Sequence, residues 1–182
     1  VRQYKVDRLK QAEKLNPEQR SVRLMKEIQE QLHMKKMPNH IECFDNSNIQ
    51  GTNPVSACVV FKMGKPSKKD YRHFNVKTVV GPDDFSTMRE VVYRRYHRLI
   101  EEGSPLPQLI VIDGGKGQLS AACESLKELG IYGKVAIVGI AKRLEEIYYP
   151  EDSIPLYLDK NSESLKIIQH LRDEAHRFGI TF

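Results

Sequence analysis

The sequence has few cysteines and no long apolar run among its 182 residues. No stretch approaches the roughly 18 apolar residues of a membrane-spanning helix, and the opening segment VRQYKVDRLK lacks the apolar stretch of a secretion signal. The cysteines Cys43, Cys58 and Cys123 form no CxxC pair, which argues against both a disulfide framework and a zinc site. We therefore expect a cytoplasmic protein with reduced cysteines and no membrane partner.

The composition is that of a folded domain. Hydrophobic residues make up 40% of the chain and charged residues 29%, which allows a buried core and excludes a disordered tail. The length suits one ordinary domain with an appendage. The net charge of +5 comes from residues 1–39, which hold ten Lys or Arg against five Asp or Glu. This excess fits either contact with a polyanion or a basic tether.

Residues 1–39 are predicted to form a basic helical connector. Asn16-Pro17 is typical of a helix start, and apolar residues then recur at helical spacing. This pattern predicts a helix over about 17–35 whose apolar stripe docks on the following domain or on a partner. We place the domain itself at residues 40–182.

Strand patterns begin at residue 40. Short β runs at 40–45, 55–61 and 71–76 are joined by turn sequences at 51–54 and 63–66, which predicts an antiparallel meander. Two later runs, at 109–112 and 135–138, are apolar throughout, as in strands that are covered on both faces.

Helical periods separate these later strands. They cover about 85–102 and 118–129, and a last helix begins after residue 162. The element order is therefore βββαβαβα. It predicts an α/β fold with a mixed five-stranded sheet, in which two parallel strands extend three antiparallel ones and helices flank both faces.

Two of the predicted strands run into an aspartate. Asp45 and Asp113 each follow an apolar run, and parallel neighbouring strands would bring both carboxylates to one edge of the sheet. Two adjacent carboxylates repel each other unless a cation lies between them, and oxygen ligands suit Mg²⁺ or Mn²⁺. The alternative is that each aspartate only caps the turn that follows it.

Two short motifs bear on nucleotide hydrolysis. The loop GGKGQ at 114–118 could present backbone N–H groups and the Lys116 ammonium to a phosphate, but it lacks the Walker A spacing. The tetrad DEAH at 173–176 lies within a helical period, whereas helicase acids follow a strand. A nucleotide-dependent motor is therefore disfavoured. His176, one position from the apolar face of this helix, could reach the sheet edge or be merely structural.

The helix that begins near residue 84 carries both acidic and basic groups. Asp83 and Asp84 at its start are typical of helix caps. Further along, the basic side chains could follow a phosphate backbone or form a solvated face. The candidate DNA contacts on this helix are Arg89, Arg94, Arg95 and Arg98.

Four motifs stand in order along the chain: IECFDNSNIQG at 41–51, GPDDF at 81–85, IDGGKGQL at 112–119 and RDEAHRF at 172–178. Together they resemble the C-terminal nuclease half of the UvrC family, the incision subunits of bacterial nucleotide excision repair. The likeness covers about residues 40–182.

This resemblance implies a ribonuclease H-like fold, in agreement with the element order. It also implies cutting of damaged double-stranded DNA on the 5′ side of a lesion, dependent on Mg²⁺ or Mn²⁺, after UvrA and UvrB have located the damage. Asp45 and Asp113 match the catalytic aspartates of the family, and His176 matches its histidine; these three would hold the metal. Asp84 matches an acid linked to 5′ incision, and Lys116 could neutralise charge on the scissile phosphate.

The resemblance also implies what lies outside this chain. The family's GIY-YIG nuclease, which makes the 3′ cut, and its helix-hairpin-helix modules are not part of the sequence. We expect a monomer whose activity in isolation is weak.

A different class of function uses the same residues. In a non-catalytic nucleic-acid-binding module, Asp45 and Asp113 would be turn residues and the arginine-rich helix would contact the phosphates. Such a module would bind DNA in a salt-dependent way and without regard to divalent metal.

Overall fold

A computed structural model describes residues 2–47, 55–76, 83–143 and 145–181 of the chain. Within these residues the helices are α1 (Arg2–Leu15), α2 (Pro17–Gln31), α3 (Asp84–Glu102), α4 (Gly115–Glu128) and α5 (Glu163–Gly179). The predicted turn at 51–54, the end of the first motif at 48–51 and the Gly81-Pro82 pair lie outside the described residues. No helix in the described part has the length and apolar character needed to cross a bilayer.

The strands of the described residues join into one mixed sheet, in the order β3-β2-β1-β5-β6-β7-β8, with β4 also paired to β2. β1 pairs antiparallel with β2 and parallel with β5, and β5 pairs parallel with β6. The strand bounds are β1 (His40–Ser47), β2 (Val55–Lys62), β3 (Lys65–Pro66), β4 (Arg72–Asn75), β5 (Leu109–Asp113), β6 (Ala136–Ile140), β7 (Glu146–Tyr148) and β8 (Leu156–Tyr157).

The five predicted strands and their directions are confirmed as β1, β2, β4, β5 and β6. Three short strands, β3, β7 and β8, extend the sheet beyond the prediction, because runs of two or three residues carry too little periodicity to be recognised. Helix α2 ends at Gln31 rather than near residue 35, since His33 adopts a left-handed conformation with φ of 54°.

Hydrophobic side chains cover both faces of the sheet. The alternation along β1 sends Ile41 and Cys43 to the face that packs against α2 and α5, and Phe44 to the face that packs against α3 and α4. Met25 and Ile28 of α2 are fully buried in the first of these layers. The apolar stripe of α2 therefore docks on the domain; the division at residues 39 and 40 remains a prediction.

One charged side chain is completely buried on the face of the sheet that packs against α3. Glu42 of β1 has no exposed surface, and its carboxylate accepts hydrogen bonds from Arg95 Nη2 at 2.8 Å, Arg95 Nε at 3.1 Å and the Tyr96 hydroxyl at 2.9 Å. His40 Nε2 lies 2.8 Å from the same carboxylate. Burial opposes ionisation, but the hydrogen bonds from His40 and Arg95 outweigh it and lower the pKa of Glu42 to about 2.

This network predicts a pH-dependent contribution to stability. The pKa of Glu42 is lowered from 4.5 to about 2, so its stabilisation is complete above pH 4.5 and is lost as the pH falls towards 2. We expect Glu42→Gln to reduce the free energy of unfolding at neutral pH by about 3 kcal/mol, and this difference to shrink during acidification. Urea unfolding at several pH values measures it.

The exposed Glu128 of α4 supplies the control, because Glu128→Gln removes the same charge without a buried partner. The effect of Glu128→Gln on the free energy of unfolding should be small at every pH. A Glu42→Gln effect that does not change with pH would contradict the account.

Candidate metal centre

The parallel pairing of β1 with β5 creates the centre of the site. Asp45 lies opposite Asp113 in the register, at the carboxyl ends of the two strands. Both follow the alternation that faces α5, since Cys43 and Val111, two residues earlier, belong to that layer. After Asp113 the chain enters α4 through Gly115, whose φ of 82° is in the left-handed region that favours glycine.

Helix α5 adds a histidine to the two carboxylates. His176 Nε2 lies 2.8 Å from Asp113 Oδ2 and 3.4 Å from Asp45 Oδ2. Ligand atoms of the three residues all lie within 4.8 Å of one another. The aspartate side chains are 14% exposed and that of His176 is 57% exposed, so the cluster opens to solvent on the histidine side.

The electrostatics of this carboxylate–histidine cluster favour a cation. Burial and the charge of Asp113 raise the pKa of Asp45 to about 6, while the charge of His176 and the Asn46 backbone N–H act in the opposite direction. Two ionised carboxylates at this spacing are therefore costly without compensation. A divalent ion would supply it, and two carboxylates with one imidazole are a donor set that accepts Mg²⁺ or Mn²⁺. The residues present fit such an ion.

The end of α5 that carries His176 is held through the nearly buried carboxylate of Glu174. Glu174 is 9% exposed, and the Tyr71 hydroxyl donates a hydrogen bond of 2.9 Å to its carboxylate. Arg177 donates two more, from Nε at 2.5 Å and from Nη2 at 3.2 Å. The Tyr71 hydrogen bond attaches the last turns of α5 to the segment before β4 and so orients His176, while the Arg177 contacts lie within the helix.

An aromatic contact on the same side reinforces the attachment. The rings of His73 and Phe178 are stacked with centroids 3.8 Å apart, and His73 Nε2 lies 2.5 Å from the Phe178 carbonyl oxygen. Tyr71 meets Phe178 edge-on at 5.0 Å. Sequence reasoning missed this set because its members are about 100 residues apart. In the sequence, Glu174 and Phe178 have no feature that distinguishes them from ordinary helix residues.

The acidic pair at the start of α3 divides into two roles. Asp83 is the helix cap, since its Oδ1 accepts a hydrogen bond of 3.1 Å from the Ser86 N–H. Asp84 is the first residue of α3. The first turn of α3 lies beside the first turn of α4, because a Cβ on Gly117 would come within 2.5 Å of the Phe85 ring. The Asp84 backbone is thereby brought near the chain that follows Asp113.

The arginines of α3 do not share one environment. Arg89, Arg94 and Arg98 are exposed or half-exposed and pair with nearby glutamates. Arg95 is 11% exposed, and its guanidinium is engaged by the buried Glu42. The DNA contact predicted for Arg95 stays a prediction, and it is disfavoured because releasing Arg95 would leave Glu42 as an uncompensated buried charge.

Two other residues of the motifs also have defined contacts. Lys116 Nζ donates to the Ser153 carbonyl at 3.1 Å and lies 5.0 Å from the centroid of the Tyr148 ring. Arg172, one turn before His176 on α5, donates from Nη1 to the Lys142 carbonyl at 3.2 Å, and its charge acts to lower the pKa of Asp45. The tetrad at 173–176 is helical, as expected.

Two adjacent parallel strands end in carboxylates beside a histidine from the last helix, which is the arrangement that the family resemblance implies for a ribonuclease H-like nuclease. The model of the family "UvrC RNAse H endonuclease domain" matches residues 29–180. The chain belongs to this family.

Individual relatives agree with the family match. The UvrABC system protein C of Porphyromonas gingivalis is 69% identical over the whole chain, that of Flavobacterium johnsoniae 69% identical over 98% of it, and that of Bacteroides fragilis 55% identical over the whole chain. The chain spans about 30% of the length of these relatives. Among solved structures, human ENDOV is similar at a TM-score of 0.47 and 12% identity, over 79% of this chain and 85% of that one.

The contacts of α5 predict the effect of a single hydroxyl. Tyr71→Phe removes the hydrogen bond to Glu174, and we expect it to lower the free energy of unfolding by about 1 kcal/mol. It should also increase amide hydrogen exchange most in the last two turns of α5. Tyr149→Phe is the matched control, because that hydroxyl donates to the Leu32 carbonyl instead. Equal changes in α5 for both variants would contradict the assignment.

Proposed function

We propose that this domain hydrolyses a DNA phosphodiester on the 5′ side of a lesion during nucleotide excision repair. The observation that carries the proposal is the convergence of Asp45, Asp113 and His176, with His176 Nε2 within 3.4 Å of both carboxylates. Membership of the UvrC endonuclease family supports the same reaction. The metal would be Mg²⁺ or Mn²⁺.

Each residue of the cluster has a role in this reaction. Asp45 and Asp113 would hold one or two divalent ions at the sheet edge. Such ions would supply Lewis acidity for the attacking water and for the leaving oxygen. His176 acts through Nε2, as a further ligand or by moving a proton between the cluster and solvent. Water adds to phosphorus, the bond to the 3′ oxygen breaks, and that oxygen leaves as a hydroxyl.

The open side of the cluster would receive the DNA backbone. His176 is more than half exposed there, whereas the opposite side is closed by the sheet. We propose that Asp84 assists 5′ incision from the first turn of α3. Arg89, Arg94 and Arg98 would contact phosphates along that helix, and Lys116 would do so after exchanging its contact with Ser153.

The partners and setting follow from the family. We propose that damaged double-stranded DNA is delivered by UvrB after the search by UvrA, and that the domain acts in the cytoplasm. The choice of lesion would then lie with those partners. We further propose that the domain acts as a monomer.

A single substitution tests the reaction. Asp113→Asn preserves the size of the side chain but removes a ligand charge, and we expect it to abolish 5′ incision in a reconstituted UvrABC system. Incision on the 3′ side, which the family assigns to another domain, should persist and serves as the internal control. Gel analysis of both cuts measures the outcome. Unchanged 5′ incision would overturn the proposal and favour the non-catalytic binding module.

A further inference from the structure

A basic cleft opens between β4 and the C-terminal half of α3. Its volume is about 450 Å³, and it continues past the start of β1 to the end of β2. His40 and His73 line it, as do Asp70 and Glu102. The permanently charged cations of its lining are Lys62, Arg72, Arg94, Arg95 and Arg98.

The floor of this basic cleft is electrically neutral. The Arg95 guanidinium forms an ion pair with the Glu42 carboxylate, which lies beneath the cleft. This carboxylate accepts further hydrogen bonds from His40 and Tyr96. The remaining lining has four cations and two carboxylates, and Glu90 beside it pairs with Arg94 at 3.4 Å, which leaves an excess of one positive charge. Because its base is already compensated, the cleft presents this excess positive charge to solvent.

The cations that face solvent are available to exchange partners. Lys62 pairs with Asp70 at 3.0 Å and Arg98 with Glu102 at 2.8 Å, and the side chains of Lys62 and Arg98 are 49% and 77% exposed. Exposed pairs of this kind contribute little to stability, so replacing a carboxylate by a phosphate costs little. Arg72 donates to backbone carbonyls, which leaves its charge uncompensated by these contacts.

The cleft also contains an apolar wall. Phe74 of β4 lies under the Arg94 guanidinium, which is 5.5 Å from the centroid of the ring. Leu99 of α3 lines the same space. A repeating ligand with anionic groups next to uncharged rings matches this arrangement, as in the sugar-phosphate backbone of a nucleic acid.

The position of the cleft relates it to the metal centre. His40 and Lys62 are paired in the sheet, and Asp45 lies five positions after His40 in β1. At about 3.3 Å per residue this is about 17 Å, and the phosphates of one strand recur about every 3.4 Å along the axis of duplex DNA. The cleft lies on the α3 face and both aspartates face α5, so a DNA molecule that contacts both places passes around the edge of the sheet, with several nucleotides between them.

We propose that the basic cleft binds the DNA backbone at a point several nucleotides from the bond that the metal centre cuts. This inference rests on the proposed function, because that function identifies DNA as the polyanion. The β-side residues Lys62 and Arg72, which no sequence motif singled out, make the contact together with Arg94 and Arg98. The cleft thus sets the direction in which the substrate crosses the domain.

The test measures DNA binding without catalysis. A Lys62→Gln/Arg72→Gln variant and a Lys134→Gln/Lys160→Gln control lose the same charge, the second pair being exposed outside the cleft. Anisotropy of a fluorescein-labelled duplex is followed over a series of KCl concentrations with EDTA present. We expect the cleft variant to bind several-fold more weakly and to lower the log–log salt slope by about 2, with little change in the control.

Two results would overturn the inference: equal losses in the two double variants, which show a general charge effect, or no loss in the cleft variant. Circular dichroism verifies that each variant is folded. Calorimetric Mn²⁺ binding by the cleft variant separates the two proposals. If the cleft variant binds Mn²⁺ normally and binds DNA as tightly as the wild type, the DNA-binding cleft is rejected and the proposed function is not. If the cleft variant binds DNA more weakly and the chain binds no Mn²⁺, the proposed function is rejected and the cleft is retained.

Discussion

The register between β1 and β5 is the constraint on which the rest of the site depends. It sets Asp45 opposite Asp113, and the two-residue alternation of the strands directs both towards α5 rather than α3. A shift of one residue would reverse every side chain of β1, placing Glu42 against α5 and removing the carboxylate from His176. The apolar residues on both faces of these strands therefore specify the candidate metal centre as well as the core.

Two polar attachments hold the elements on either side of that sheet. On the α3 face, Arg95 compensates the buried Glu42, so a helix residue that could have faced DNA serves the interior instead. On the α5 face, the Tyr71 hydroxyl binds Glu174 and thereby attaches the turn that carries His176, while Arg177 pairs with Glu174 within the helix. Both attachments lie close to functional surfaces, and the structure thus fixes the histidine while leaving its ring exposed.

The sequence predicted those features of the fold and site that follow from hydrophobic periodicity and from the residues at strand ends. Five strands, their directions and the meeting of Asp45 with Asp113 followed from apolar runs and turn chemistry. The role of His176 required the family motif, because a lone histidine on a helix has many structural explanations. The Glu42–Arg95 pair could not be predicted, since its partners are 53 residues apart. In addition, an arginine that lies among other basic residues on a helix is expected to face solvent.

Metal binding tests the central claim most directly, because it depends on the site alone and not on other domains or on DNA. Mn²⁺ is titrated into the wild-type chain and into Asp45→Asn, Asp113→Asn and His176→Ala variants by calorimetry, with the exposed Asp159→Asn as control and circular dichroism to verify folding. The account predicts binding by the wild type and the control, with loss of binding in both variants of the paired aspartates. Binding that is indifferent to both Asp45→Asn and Asp113→Asn would contradict it.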